Sequence, residues 1–161
     1  MVVLRRAGAY GVDYLVIAAY ALALAAVMIT LVPPLDLPRT QAWLFATATL
    51  TAPVVLAFTL MEAAAGLSPG KALLGLRVGR DGARPGFGRA LVRNLFKFAP
   101  WELAHAGIWL TPGQPFIDPP GVTSLVLMNA AMALVVIQAG LIAAFGAGVH
   151  DWIAGARVVR R

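Results

Sequence analysis

The chain has 161 residues, 60% of them hydrophobic and 12% charged, with a mean hydropathy of +0.81 and a net charge of +6. An ordinary soluble domain carries about 25% charged residues, so the composition excludes a soluble globular protein and reads as one compact membrane domain over residues 1–161. Cysteine is absent, which excludes disulfides and thiolate metal sites, and the basic residues flank apolar runs, which argues for membrane topology and against nucleic acid.

The first helix is expected over about residues 8–32. Tyr14 to Val32 is uncharged over 19 residues, close to the about 20 needed to cross a ~30 Å hydrocarbon core. Arg5 and Arg6 precede it as in a secretory leader, but the apolar stretch outruns a leader's core and opens on Asp13, so a retained helix is expected. Arg6 and Asp13 are two turns apart on one face, about 10.5 Å along the axis. Asp13 then lies in the lipid zone, where a charge costs ~2.5–3.5 kcal/mol and needs a partner inside the bundle. It either pairs with Lys97 or Arg93 to lock two helices, or serves as a protonatable or cation-binding carboxylate.

The second helix is expected over 42–62, with Glu62 at its end, solvated or paired with a loop arginine. Residues 63–88 form a cytoplasmic segment. Ser68 and Pro69 open a short helix as N-cap and first turn, and Gly75 closes it in a left-handed cap. The stretch LRVGR then alternates as a strand does, and Asp81-Gly82 offers a tight turn back.

In the third segment Arg89, Arg93 and Lys97 recur every four positions between apolar residues, which describes an amphipathic helix. A surface helix is one reading. The positive-inside bias decides for a crossing over 89–110. With four crossings, the outer loops 33–41 and 111–121 hold only Arg39 of the 13 basic residues. Arg93 and Lys97 are then expected to snorkel to the inner surface, Pro100 to kink the helix, and at least some of Trp43, Trp101 and Trp109 to sit at headgroup level. Glu102 and His105, three apart, share one face. They read as a hydrogen-bonded pair, as a proton carrier tuned by its imidazole, or as half of a metal site lacking further ligands; no metal or other cofactor is expected.

Val122 to Val149 is uncharged over 28 residues, so a helix over 122–149 would tilt or start in the interface, with Gly146 and Gly148 loosening its end. Asn129 and Gln138 read as interhelical hydrogen-bond formers. The tail, 150–161, contains HDWIAGARVVR, a second copy of GKALLGLRVGR at 70–80, with Gly75, Arg77, Val78 and Arg80 matched by Gly155, Arg157, Val158 and Arg160, and Lys71 replaced by Asp151. Asp151 is expected at the helix cap. The two strands are expected to pair into a small sheet under the bundle, Val78 beside Val158, with Lys71 close enough to attract Asp151. His150 beside Asp151 reads as a structural cap, because neighbours on a helix point about 100° apart.

Three motifs in this order, Arg6 seven residues before Asp13, SPGKALLGLRV at 68–78 and HDWIAGARVV at 150–159, resemble the RDD family of bacterial integral membrane proteins. By that resemblance the family's arginine is Arg6 and its aspartates are Asp13 and Asp151, and transport is the suspected activity.

The expected fold is thus an all-α membrane protein, four transmembrane helices with a small cytoplasmic β-hairpin or sheet, multi-pass in the bacterial inner membrane with both termini cytoplasmic. The signatures HExxH, GxSxG and the P-loop are absent, and an enzyme is not expected. The expected function is transport of protons or cations through Asp13, Glu102, His105 and Asp151, with Arg6, Lys71, Arg93 and Lys97 in ion pairs. The alternative is a membrane scaffold whose Lys71, Arg77, Arg80, Arg84 and Arg89 hold anionic headgroups or an acidic partner. Expected partners are the bilayer, anionic lipid and a second copy of the chain; nucleic acid is not.

Overall fold

The computed structural model describes residues 2–33, 35–79, 82–115 and 117–161. The elements run α1 (Val2–Leu31), α2 (Arg39–Ala46), a π-helical turn (Thr47–Thr51), α3 (Ala52–Ala65), α4 (Pro69–Leu73), β1 (Leu76–Gly79), α5 (Phe87–Trp109), α6 (Val122–Phe145), α7 (Val149–Ile153) and β2 (Arg157–Arg160). Helices α2 and α3 form one continuous rod through the π turn. Val2–Leu31, Arg39–Ala65 and Val122–Phe145 are long and apolar enough to cross a membrane. Helix α5 has the length, 23 residues, but not the uniform apolarity.

The bundle is polar inside and apolar outside. The buried positions of α1 are Arg6, Ala9, Asp13 and Ile17, a stripe at helical spacing, while Leu4, Leu15, Leu22 and Ile29 point outward. Water would penalise that exterior at about 25 cal/mol per Å²; lipid does not. One apolar core, Ile17, Val54, Val55, Phe58 and Phe98, ties α1, α3 and α5 together, with Phe58 edge-on to Phe98 at 5.4 Å.

The two copies of the repeated line do pair. β1 and β2 are antiparallel, with Val78 opposite Val158 and Arg77 opposite Val159. Because each central valine faces its own counterpart, a local two-fold axis runs through the sheet. Gly75 and Gly155, at φ 66° and 58°, turn each short helix into its strand, a conformation that only glycine adopts without strain. A second core, Ala9, Leu76, Val78, Ala154, Ala156 and Val158, seats this sheet against the start of α1.

Several expected boundaries move. Helix α1 starts at Val2 rather than near residue 8. The expected 122–149 helix stops at Phe145, where Gly146 turns the chain, and Val149–Ile153 is a separate helix. Gly148 rather than Asp151 takes the N-cap; Asp151 is three residues on, where its carboxylate accepts from the Gly148 amide at 3.1 Å. Helix α5 continues through Pro100 without a break. The expected turn residue Asp81 lies outside the described residues, and so does Arg80.

Candidate functional site

The sheet end of the bundle closes over a buried chain of charges. Glu62, at the last turn of α3, is fully buried and accepts from Arg93 Nη1 of α5 at 2.7 and 2.8 Å, from Lys71 Nζ of α4 at 2.9 Å and from Asn94 Nδ2 at 3.2 Å. Arg93 Nε also donates to Asp151 Oδ1 of α7 at 2.9 Å. The other Asp151 oxygen accepts from Arg6 Nη2 of α1 at 2.6 Å, and Arg6 donates as well to the Gly146 carbonyl. The order Lys71, Glu62, Arg93, Asp151, Arg6 alternates in sign and crosses five elements. Each charge is taken from water at a cost of several kcal/mol, offset only by partners on both sides.

This chain corrects three expectations. Lys71 does not pair with Asp151: it reaches Glu62, and the two repeats are joined through Arg93. Arg93 does not snorkel, being fully buried between two carboxylates. Glu62 is neither solvated nor paired with a loop arginine. Of the basic stripe on α5, only Arg89 faces out, with Arg77 and Arg84 of the preceding segment; Arg84 also donates to the Ala64 carbonyl.

Asp13 anchors the first repeat. Its oxygens accept from Ser68 Oγ and from the Gly70 amide, both at 2.8 Å, and Ser68 Oγ accepts in turn from Lys71 Nζ at 3.1 Å. Gly70 is needed for this seat, because a Cβ there would stand 2.0 Å from the Ala9 carbonyl oxygen. The expected helix lock is present in a looser form. Lys97 Nζ of α5 stands 3.7 Å from Asp13 Oδ2, too far for a hydrogen bond. The rings of Phe58, Phe98 and Tyr10 surround that ammonium at 4.6, 5.0 and 5.3 Å, a cage of cation–π contacts. Lys97 is buried rather than snorkelling, and its Nζ has no hydrogen-bond partner among the described residues.

The charges titrate accordingly in the short helices outside the long rods. Burial opposes ionisation of Asp151, but Arg93, His150 and Arg6 outweigh it and hold the carboxyl well below the usual range. Burial lowers Lys71, against the pull of Glu62. His150 is pushed down to about 3 by burial and by Arg93, so it is neutral. Its ring bridges Gln138 Oε1 of α6 at Nδ1 and the Tyr10 hydroxyl, 3.2 Å away, at Nε2. Gln138 therefore does join two helices, whereas Asn129 is exposed and donates to Leu125 of its own helix.

Glu102 and His105 form a second polar cluster, farther along α5 and away from the sheet. His105 Nδ1 is 3.6 Å from Glu102 Oε2, and neither atom has a hydrogen-bond partner among the described residues. The other Glu102 oxygen accepts from Thr47 Oγ1 at 2.5 Å and Trp43 Nε1 at 2.8 Å. Trp109 Nε1 donates to His105 Nε2 at 2.9 Å. Two of the tryptophans expected at headgroup level thus direct their indole nitrogens at this pair. Thr47 belongs to the π turn, a helical irregularity often found at functional sites. No third ligand joins the pair: the described residues hold no group of three or more His, Asp or Glu side chains placed to hold a metal ion.

The structure therefore separates the sequence's site residues. Arg6, Lys71, Arg93 and Asp151 form an ion chain through Glu62; Asp13 and Lys97 form a loose pair at its edge; Glu102 and His105 stand apart. Sequence reasoning misses Glu62 as the hub, and Asn94, Ser68 and Tyr10 as partners. Compared with known proteins, the chain matches the family model described as the RDD family over residues 2–159. No curated protein and no solved structure matches it.

Proposed function

The chain belongs to the RDD family of membrane proteins, and from that premise we propose a transport-type protein that crosses the bacterial inner membrane four times, with both termini cytoplasmic. Protons or cations pass along α5 between two acid–base pairs, Glu102 with His105 and Asp13 with Lys97. The supporting observation is where buried polar atoms lack partners. Lys97 Nζ, Glu102 Oε2 and His105 Nδ1 lack hydrogen-bond partners among the described residues, as do Arg93 Nη2, Asn94 Oδ1 and Thr51 Oγ1, although buried groups are nearly always bonded. The carboxylates of the ion chain, by contrast, are held by arginine or lysine. Asp151, an expected ion carrier, becomes a structural residue in this reading.

A crossing α5 is supported by its length and by where its charges go. Twenty-three residues extend about 34 Å, more than the ~30 Å core. Arg93, Lys97 and Glu102, which make α5 look polar, are turned into the bundle. The alternation of four rods, with N-terminus, sheet and C-terminus at one end, supports a shared side for both termini, and the exposed Arg77, Arg89 and Arg157 favour the cytoplasmic side. Glu102 then lies in the outer half and Asp13 in the inner half, about 7.5 Å apart along α5 if Lys97 marks the inner pair.

Purified protein in liposomes, with a pH dye inside and an imposed cation gradient, tests this. Wild type is expected to move protons, and Asp13→Asn and Glu102→Gln each to reduce the flux at least tenfold. Flux unchanged in both variants overturns the mechanism. A second reading rests on the exposed Arg77, Arg84 and Arg89: a scaffold whose basic face holds anionic lipid or an acidic partner. It expects no flux at all, and a co-purifying partner lost when those arginines are neutralised.

A further inference from the structure

Beside the charged core, a groove of about 520 Å³ opens between α1, α5 and α6. Its size lies within the ~300–1,000 Å³ of small-molecule sites. The walls are almost wholly apolar, and along α6 the lining runs from Met128 to Ile142, about 21 Å. Alanines at 7, 104, 131 and 139 leave the space, and Met128 and Met132 are the adaptable side chains that suit a flexible chain. The slot exists because α1 packs chiefly on α4 and leaves α6 to pack on α5.

The polar lining is confined to Lys97, Gln138, the hydroxyls of Tyr10 and Tyr14 and the indole nitrogen of Trp101. Gln138 Oε1 and the Tyr10 hydroxyl are engaged with His150. The Lys97 side chain, 7% exposed, lines the groove, while its ammonium is buried with its donors unused behind the rings of Tyr10 and Phe98, which line the same groove. Nearby charges do not balance: among the described residues the buried cationic side chains are Arg6, Lys71, Arg93 and Lys97, against the carboxylates Asp13, Glu62 and Asp151, one anion short. Asp13, the carboxylate nearest Lys97, already accepts from Ser68 and Gly70.

We propose that the groove between α1, α5 and α6 binds a long-chain carboxylate, a single acyl tail lying along α6 with its carboxylate accepting hydrogen bonds from Lys97, whose flexible side chain turns its ammonium out between Tyr10 and Phe98 to meet it. One monoanionic head supplies the missing charge and the missing acceptor together. A dianionic head is disfavoured by Asp13 at 3.7 Å. The inference goes beyond transport, since binding needs no gradient.

The test uses purified protein in zwitterionic-lipid nanodiscs, titrated with a long-chain fatty acid brominated in mid-chain, which quenches Trp101 on the groove wall. Saturable quenching is expected for the acid, with its methyl ester binding at least tenfold more weakly. Lys97→Gln should weaken the acid at least tenfold while leaving the ester unchanged, and Lys97→Arg should retain binding. Ala139→Phe, at an exposed position of the groove wall, should abolish quenching by both. Equal affinity for acid and ester, or quenching that survives Ala139→Phe in folded protein, overturns the proposal as simple partition into lipid. A protein that binds the acid yet moves no protons refutes the transport reading alone.

Discussion

Arg6, in the second turn of α1, and Asp151, ten residues from the C-terminus, meet at 2.6 Å with both side chains buried. The contact closes the protein on itself, since the same carboxylate accepts from Arg93. Removing one partner of a buried pair leaves the other charge uncompensated, typically at about 3–5 kcal/mol. Asp151→Asn strands Arg6, since Arg93 keeps Glu62, and Arg6→Gln strands none, because Arg93 still holds Asp151. Asp151→Asn should therefore lower the thermal midpoint in detergent more than Arg6→Gln; the reverse order would contradict the arrangement.

Glu62 gathers Arg93, Lys71 and Asn94. Glu62→Gln keeps the shape and removes the charge, so about 3–5 kcal/mol of destabilisation is expected. Denaturant or thermal unfolding in mild detergent measures it, and a loss under ~1 kcal/mol, the scale of a surface pair, would mean that this chain is wet.

The sheet register is open to a direct check. Val78 and Val158 are opposite one another, and paired residues across an antiparallel ladder have Cα atoms about 4.5–5.5 Å apart, within disulfide range. The chain has no native cysteine. Val78→Cys with Val158→Cys should form an intramolecular disulfide on mild oxidation. Val78→Cys with Val159→Cys, whose side chains point to opposite faces, should not.

His150 gives the protein an acid-sensitive joint. Burial and Arg93 push its pKa to about 3, below the ~6.5 of an exposed histidine. Between those values the unfolded chain binds the extra proton and the folded chain does not. Stability from this group is thus full above pH 6.5 and declines as pH falls toward 3, by up to about 1.4 kcal/mol per pH unit. His150→Gln, which cannot titrate, should flatten melting temperature against pH in that window; an unchanged slope would assign the acid sensitivity elsewhere.

Gly70 tests how closely α4 approaches α1. A Cβ at this position would lie 2.0 Å from the Ala9 carbonyl oxygen and 2.7 Å from its carbon, both backbone atoms that cannot rotate away. Gly70→Ala should separate the two helices, break the Asp13 bond to the Gly70 amide and destabilise more than Ser68→Ala. The latter removes the bond to Asp13, the bond from Lys71 Nζ and the cap on the Lys71 amide, roughly 1 kcal/mol each. Melting curves of the two variants decide the order.

The apolar rods are legible in the sequence because uncharged runs of about 20 residues have few alternatives to spanning lipid. The sheet is legible for another reason: two copies of one line, each a short helix stopped by glycine and followed by alternating residues, dictate the same local conformation twice. Helix ends are less so. Gly146 stops α6 inside a run that hydropathy alone extends to Val149. The inward orientation of Arg93 and Lys97 escapes the sequence because a basic residue every fourth position describes a lipid-surface face and a charged core face equally well.

By itself the sequence determines which segments are apolar, where short helices begin and stop, and which two strands share one pattern, because each is a matter of neighbours along the chain. Only the tertiary structure decides which charge meets which: Glu62 with Arg93 and Lys71, Asp13 with Ser68 and Gly70, Arg6 with Asp151. Those choices depend on separations of a few ångströms between residues as many as 145 positions apart. In a low-dielectric interior the strength of an ion pair is set by such distances, which no spacing along the chain encodes.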